Sequence, residues 1–191
     1  MSAVPPALPA VVALAGRRID AAGAQPARFP PANVERVAER IAAGFRLVGA
    51  AALVCSAACG ADLIALDVAA KQGLRRRIVL PFEASRFVET SVRDRQGDWS
   101  AAFWRHVGAA EREGDLVVLQ PSGEDDQDYR MANTRILVEA QALARAFAPA
   151  KPSLHAFAVW DGQPRPGADA TMAFVELATL SHFHIVTIPS L

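Results

Sequence analysis

Apolar residues in this chain follow two alternating patterns: short continuous runs, and longer stretches with an apolar residue at every third or fourth position. The first suits a strand covered on both faces, the second an amphipathic helix. Ala10 to Ala15 is the first run and stops at Gly16-Arg17-Arg18-Ile19-Asp20. The segment 21–31 holds Gly23, Pro26, Pro30 and Pro31 and reads as a loop, which puts Arg17, Arg18, Asp20 and Arg28 around one strand end. Pro31 then opens a helix to about Leu47, with Val34, Val37, Ile41 and Phe45 at helical spacing.

The stretch from Ala51 to Ala70 organises the rest. It begins as an apolar run, passes through small residues from Ser56 to Gly60, and emerges as a helix with Leu63, Leu66 and Ala70 on one stripe, closed by Gly73. A turn of small side chains lets a ligand approach the backbone, where free N–H groups and the positive end of the helix dipole suit a phosphate. Small residues also serve any close strand-to-helix turn, with Asp62 or Ser56 satisfying local amides.

Ile78 to Phe82 is a third strand preceded by Arg75, Arg76 and Arg77, and 83–97 reads as an inserted surface element with a short helix around Ser85 to Val92. A helix from Asp98 to Arg112 carries Trp99, Phe103, Trp104 and Val107 and leads to a fourth strand, Asp115 to Leu119. After an acidic loop, Gln120 to Asp128, a long helix runs to Phe147 with Tyr129, Ala132, Ile136, Ala140, Leu143 and Phe147 on one side. Leu154 to Trp160 is the fifth strand, followed by a Gly/Pro-rich loop, a helix from about Asp169 to Leu180 and a last strand, Ile185 to Ile188.

This alternation predicts an α/β fold, Rossmann-like, with a mainly parallel sheet and helices on both faces, in one domain over 1–191 whose residues 1–9 are flexible. Ligands of such sheets bind beyond the carboxyl ends of the strands. Four strand-end loops therefore converge: Gly16 to Arg18, Ser56 to Asp62, Gln120 to Asn133, and Asp161 to Thr171.

With 191 residues, 52% of them hydrophobic, the chain can bury a sizeable core without a second domain. Twenty basic and twenty acidic residues balance, so no global field draws it to nucleic acid or an anionic membrane. Cys55 and Cys59 flank the end of one strand and read as buried small residues of a reducing cytoplasm. The first nine residues hold three prolines and no basic segment, unlike a signal peptide, and no run reaches the length of a membrane span. A cytoplasmic protein without a membrane partner is expected.

The first-strand turn and the Ser56-Ala-Ala-Cys-Gly60-Ala-Asp62 turn resemble the SLOG superfamily, shared by the DNA-processing protein DprA and the LOG cytokinin-activating phosphoribohydrolases. The Gly-x-Arg turn of DprA-like members matches at Gly16 and Arg18, and their Ser-x-x-x-Gly-x-Asp turn at Ser56, Gly60 and Asp62. Gly16 to Asp20, Leu80 to Phe82, Tyr129 to Asn133 and Val159 to Gly162 follow the order of an uncharacterised bacterial SLOG-like group, so the resemblance spans nearly the whole chain. It implies binding or sensing of a nucleotide or nucleotide-derived ligand. The alternatives are cleavage of an N-glycosidic bond in nucleoside monophosphates and, less favoured by the neutral charge, DprA-like nucleic-acid binding. LOG enzymes carry Pro-Gly-Gly-x-Gly-Thr-x-x-Glu; here Pro166 to Thr171 has fewer glycines, and Glu176 stands five positions after the threonine. Two extra residues at about 100° each turn Glu176 away, so the catalytic glutamate is not carried over.

The expected ligand-binding set is Gly16, Arg17, Arg18, Ser56, Gly60, Ala61, Asp62, Tyr129, Asn133, Asp161, Gly162, Gly167 and Thr171. Arg18 either pairs with phosphate oxygens or makes a surface salt bridge with Asp20. Asp62 either holds a ribose hydroxyl or caps its helix. Tyr129 and Asn133, one turn apart, either face a base or belong to the core. Asp161 is the candidate catalytic carboxylate if the protein is an enzyme, and an Asp-Gly turn accounts for it equally. Thr171 either donates to phosphate or caps locally. The aromatic trio Trp99, Phe103 and Trp104 suits core or a dimer face, so a homo-oligomer stays open. Neither His182-x-His184 nor the acidic 124–128 segment has the spacing of a metal site, and neither a metal nor a cofactor is expected.

Overall fold

A computed structural model describes residues 9–147, 152–167 and 169–191. The expected flexibility of 1–9 therefore falls, for 1–8, outside the described residues. Six strands form one sheet: β1 (Ala10–Gly16), β2 (Ala50–Cys55), β3 (Arg75–Leu80), β4 (Leu116–Val118), β5 (Ser153–Trp160) and β6 (His184–Pro189). Every pairing is parallel and the order is β4-β3-β2-β1-β5-β6. The helices are α1 (Val34–Val48), α2 (Ala61–Lys71), α3 (Ala84–Ser91), α4 (Ser100–Glu113), α5 (Asp125–Ala146) and α6 (Ala170–Leu180).

The apolar runs of β1, β2, β3 and β5 become strand segments buried on both sides, as residues alternate between the faces, while the edge strands β4 and β6 stay partly exposed. Val12, Leu14, Leu53 and Phe157 enter the layer with Ile41 and Phe45 of α1 and Leu63 of α2, whereas Val11, Ala13, Ala52 and Ala156 meet Ile136 and Ala140 of α5 and Phe174 of α6. Among the described residues, no helix is long and apolar enough to cross a membrane.

Three features differ in kind from the sequence expectation. Arg75, Arg76 and Arg77 lie within β3 instead of before it, because Arg75 and Arg77 converge on the buried Asp115 carboxylate at 2.7 Å each and Arg77 reaches Glu139 of α5. The helix expected from Asp128 begins at Asp125: Asp125, Asp126 and Asp128 occupy its first turn, where carboxylates complement the positive end of the dipole. The segment 83–97 is more than a surface insertion, since α3 drives Phe87 and Val88 into the core. In α4, Phe103 is core, whereas its neighbour Trp104 is 46% exposed.

The chain steps outward from β1 to β4, and α5 returns it across the sheet to β5, on the other side of β1. The order reverses between β1 and β5, where loops on opposite faces leave a crevice at the carboxyl edge.

Candidate functional site

At that crevice lies a cavity of about 460 Å³. The end of β1 (Leu14 to Arg18) and the β2–α2 turn (Ser56, Ala58 and Asp62) line one part of it, and α3 contributes Phe87, Thr90 and Ser91. The remainder comes from the first turns of α5, including Asp125, Asp126, Tyr129 and Asn133, and from Arg165, Asp169, Ala170 and Thr171 at the start of α6. Of the expected set, Gly16, Arg17, Arg18, Ser56, Asp62, Tyr129, Asn133 and Thr171 share this lining, while Gly60, Ala61, Asp161, Gly162 and Gly167 lie outside it.

Arg17 is 3% exposed and is committed to the protein. Its Nε donates to Asp161 Oδ1 at 3.3 Å, Nη1 to Asp169 Oδ1 at 2.8 Å and Nη2 to the Gln163 carbonyl at 2.6 Å, with the guanidinium 5.6 Å from the Trp160 ring centroid. It fastens the β1 loop to the β5–α6 loop. Arg28 takes the other Asp161 oxygen at 2.9 Å. With both oxygens in ion pairs, Asp161 is an anchor under the site, not a free base, and its candidacy as the catalytic carboxylate is withdrawn.

Asp169 caps α6 by accepting from the Thr171 and Met172 amides, and its other oxygen accepts from the Arg165 amide. Burial opposes its ionisation, but those backbone donors and Arg17 outweigh it and lower its pKa. Thr171 is therefore capped, not the cap. Glu176 is exposed on α6, and the place three residues after Thr171 holds Phe174, fully buried in the core.

The phosphate cradle expected at Gly60 is occupied by the protein's own backbone. Gly60 has φ 96°, and a Cβ there would lie 2.8 Å from Ile19 N and 2.9 Å from Arg17 O. The Ala61 amide donates to Arg17 O, the Cys59 amide to Ser91 O and the Ala58 amide to Asp62 Oδ2, so these N–H groups are spent. Gly16 has a similar packing role: a Cβ there would meet Ala61 Cβ and Val159 O at 2.6 Å. Gly162 and Gly167 are exposed in the β5–α6 loop.

Arg18 pairs with Asp94 at 2.9 Å and donates to the Thr90 carbonyl, not to Asp20, whose carboxylate instead accepts the Arg28 and Phe29 amides. Tyr129 bonds Ser91 through its hydroxyl at 2.7 Å and sets its ring edge-on to Phe82. Asn133 donates to the Ala170 carbonyl at 2.8 Å, joining α5 to α6.

Among the described residues, Arg165 and Asp62 keep unspent capacity at the cavity, as does Ser56, whose Oγ is buried without a partner. Arg165 makes no ion pair among the described residues, and its pKa is lowered first by burial and then by Arg17, partly offset by Asp169, with Arg28 and Arg18 adding to the lowering. Asp62 is 7% exposed, and burial pushes its carboxyl up to about 7 against the pull of the Ala58 amide and Arg18.

Sequence reasoning missed Arg165 and the α3 wall. Phe87 and Ser91, four residues apart, signal one face of a short helix. Arg165 sits in an aperiodic loop and carries no such signal. No protein-family model matches the chain, and a comparison with curated proteins finds no match.

Proposed function

We propose that this protein binds a nucleotide or nucleotide-derived phosphorylated small molecule in the cavity at the carboxyl edge of the sheet. The observation that carries this reading is one cavity combining Arg165, which has no ion pair among the described residues, the partly exposed ring of Tyr129, and the hydrogen-bonding groups of Ser56 and Asp62. A guanidinium suits a phosphate, an aromatic ring suits a base, and polar floor groups suit a sugar. A volume of about 460 Å³ falls in the usual range for small-molecule sites, and strand-order reversal is where α/β sheets take ligands. The SLOG-like order of motifs points the same way.

A second reading, an N-glycosidase acting on nucleoside monophosphates, rests on the buried Asp62 carboxyl in the cavity lining, since this cleavage needs a carboxylate near the ribose. Binding leads, because Phe174 stands where the LOG-type glutamate would be.

Calorimetric titration with nucleoside 5′-monophosphates and the corresponding nucleosides tests both. The expected result is binding of at least one monophosphate, at least tenfold tighter than its nucleoside, with the advantage lost in Arg165→Ala. No binding by any member refutes the proposal. Chromatography of the same mixtures for free base supports the glycosidase if release occurs and Asp62→Asn abolishes it.

A further inference from the structure

We propose that Asp62, with Ser56 beside it, recognises vicinal hydroxyls of the ligand's sugar, so that the site selects ribose over deoxyribose. This rests on the nucleotide reading above and specifies which part of the ligand meets the cavity floor.

The argument starts from unmet hydrogen bonds. An ionised carboxyl offers about four lone-pair sites. Among the described residues, Asp62 uses one, accepting the Ala58 amide at 3.2 Å through Oδ2, and no Lys, Arg or His pairs with it. Ser56 Oγ, on the same turn, is buried and has no hydrogen-bond partner. Buried polar side-chain atoms in native proteins almost always have partners. Here Ser56 Oγ is such an atom, and Asp62, six positions on and with acceptor capacity to spare, borders the same cavity.

The chemistry of the missing partner follows by exclusion. A phosphate does not fit, because the neighbouring Ala58, Cys59 and Ala61 amides already donate within the protein and a carboxylate repels an anion. An ammonium group would compete with Arg18, whose positive charge already acts on Asp62. Behind Asp62, the Cys55 thiol is held neutral, its pKa raised by burial and by Asp62 itself. What fits is a neutral group that both donates and accepts, which describes an alcohol.

A pair of adjacent hydroxyls can meet both oxygens of one carboxyl. With its pKa at about 7, Asp62 accepts in one protonation state and both donates and accepts in the other. Ser56 has one torsion and no existing bond to break, so it turns toward a hydroxyl at no hydrogen-bond cost. The phosphate would then lie toward Arg165, separated from the floor carboxyl.

The test is calorimetric titration of the full chain with ribose 5-phosphate and 2-deoxyribose 5-phosphate. Adenosine, guanosine, cytidine and uridine monophosphates are then compared with their 2′-deoxy and 3′-deoxy counterparts. Removing a hydroxyl that meets a buried polar group should weaken binding at least about tenfold. The ribo-to-deoxy ratio should shrink in Ser56→Ala and approach one in Asp62→Ala, with Asp62→Asn as the isosteric variant should the alanine form fail to fold. Equal affinity of ribo and deoxy forms for the wild-type protein overturns this inference and leaves nucleotide binding standing. Failure of every compound to bind overturns both.

Discussion

Asp62→Asn offers a test of the buried carboxyl that needs no ligand. Folding moves the Asp62 pKa from 3.8 to about 7, chiefly through desolvation. Between those values the folded protein holds a proton that the unfolded chain releases, so stability falls as pH rises across the window and the full cost is present above it. Some three pK units at about 1.4 kcal/mol each amount to roughly 4 kcal/mol of stability forgone at pH 8, a large share of the 5–15 kcal/mol typical of a domain. Asparagine keeps the volume and an acceptor for the Ala58 amide without the charge. Asp62→Asn should therefore be more stable than the wild type by roughly 2–4 kcal/mol at pH 8, with the gap closing toward pH 4. Urea unfolding followed by circular dichroism at intervals from pH 4 to 8 measures it. Other titrating groups, including His106 and His155, whose pKa values burial lowers, act in both proteins and cancel in the difference. A gap that does not change with pH would refute the reasoning. A stability gain of this size on removing a charge is what a site kept for function would show.

Two further outcomes follow from the loops around the cavity. Arg17→Met should cost about 3–5 kcal/mol in urea unfolding, because it leaves Asp161 with Arg28 alone and takes from Asp169 its guanidinium partner; a loss below about 1 kcal/mol would contradict the clamp. Gly60→Val, which a phosphate cradle would tolerate with only moderate loss of stability, should instead fail to fold or melt far below the wild type, since its side chain would enter the backbone at Arg17 and Ile19. A folded Gly60→Val with unchanged thermal midpoint in circular dichroism would refute that packing role.

The strands and helices were legible because a parallel sheet covered on both faces leaves uninterrupted apolar runs, and the helices between them keep one wet face. What escaped depended on partners remote in sequence. Three arginines in a row look wrong for a strand until Asp115 and Glu139 stand against Arg75 and Arg77, and Glu113 against Arg76. The position of the cavity was legible from topology alone, since loops after parallel strands emerge at one edge. The division of labour between Arg17 and Arg18 was not, because Arg17 is taken by carboxylates 144 and 152 residues away. Asp161 looked free for chemistry on the same grounds. The turn from Ser56 to Asp62 was correctly read as a strand-to-helix turn, yet nothing local told that Arg17 and Ser91 would occupy its amides.

The central place of β1 has a consequence for how the molecule is made. β1 is synthesised well before β5, the partner of one of its two edges, which begins at Ser153. At 5–20 residues per second, a ribosome needs roughly 7–30 s to supply that partner. Throughout this interval the nascent chain carries one β1 edge of backbone N–H and C=O groups with no strand beside it, and Arg17 without either carboxylate. Until β5 emerges, that open edge is a place where a second nascent chain, or a chaperone, can dock.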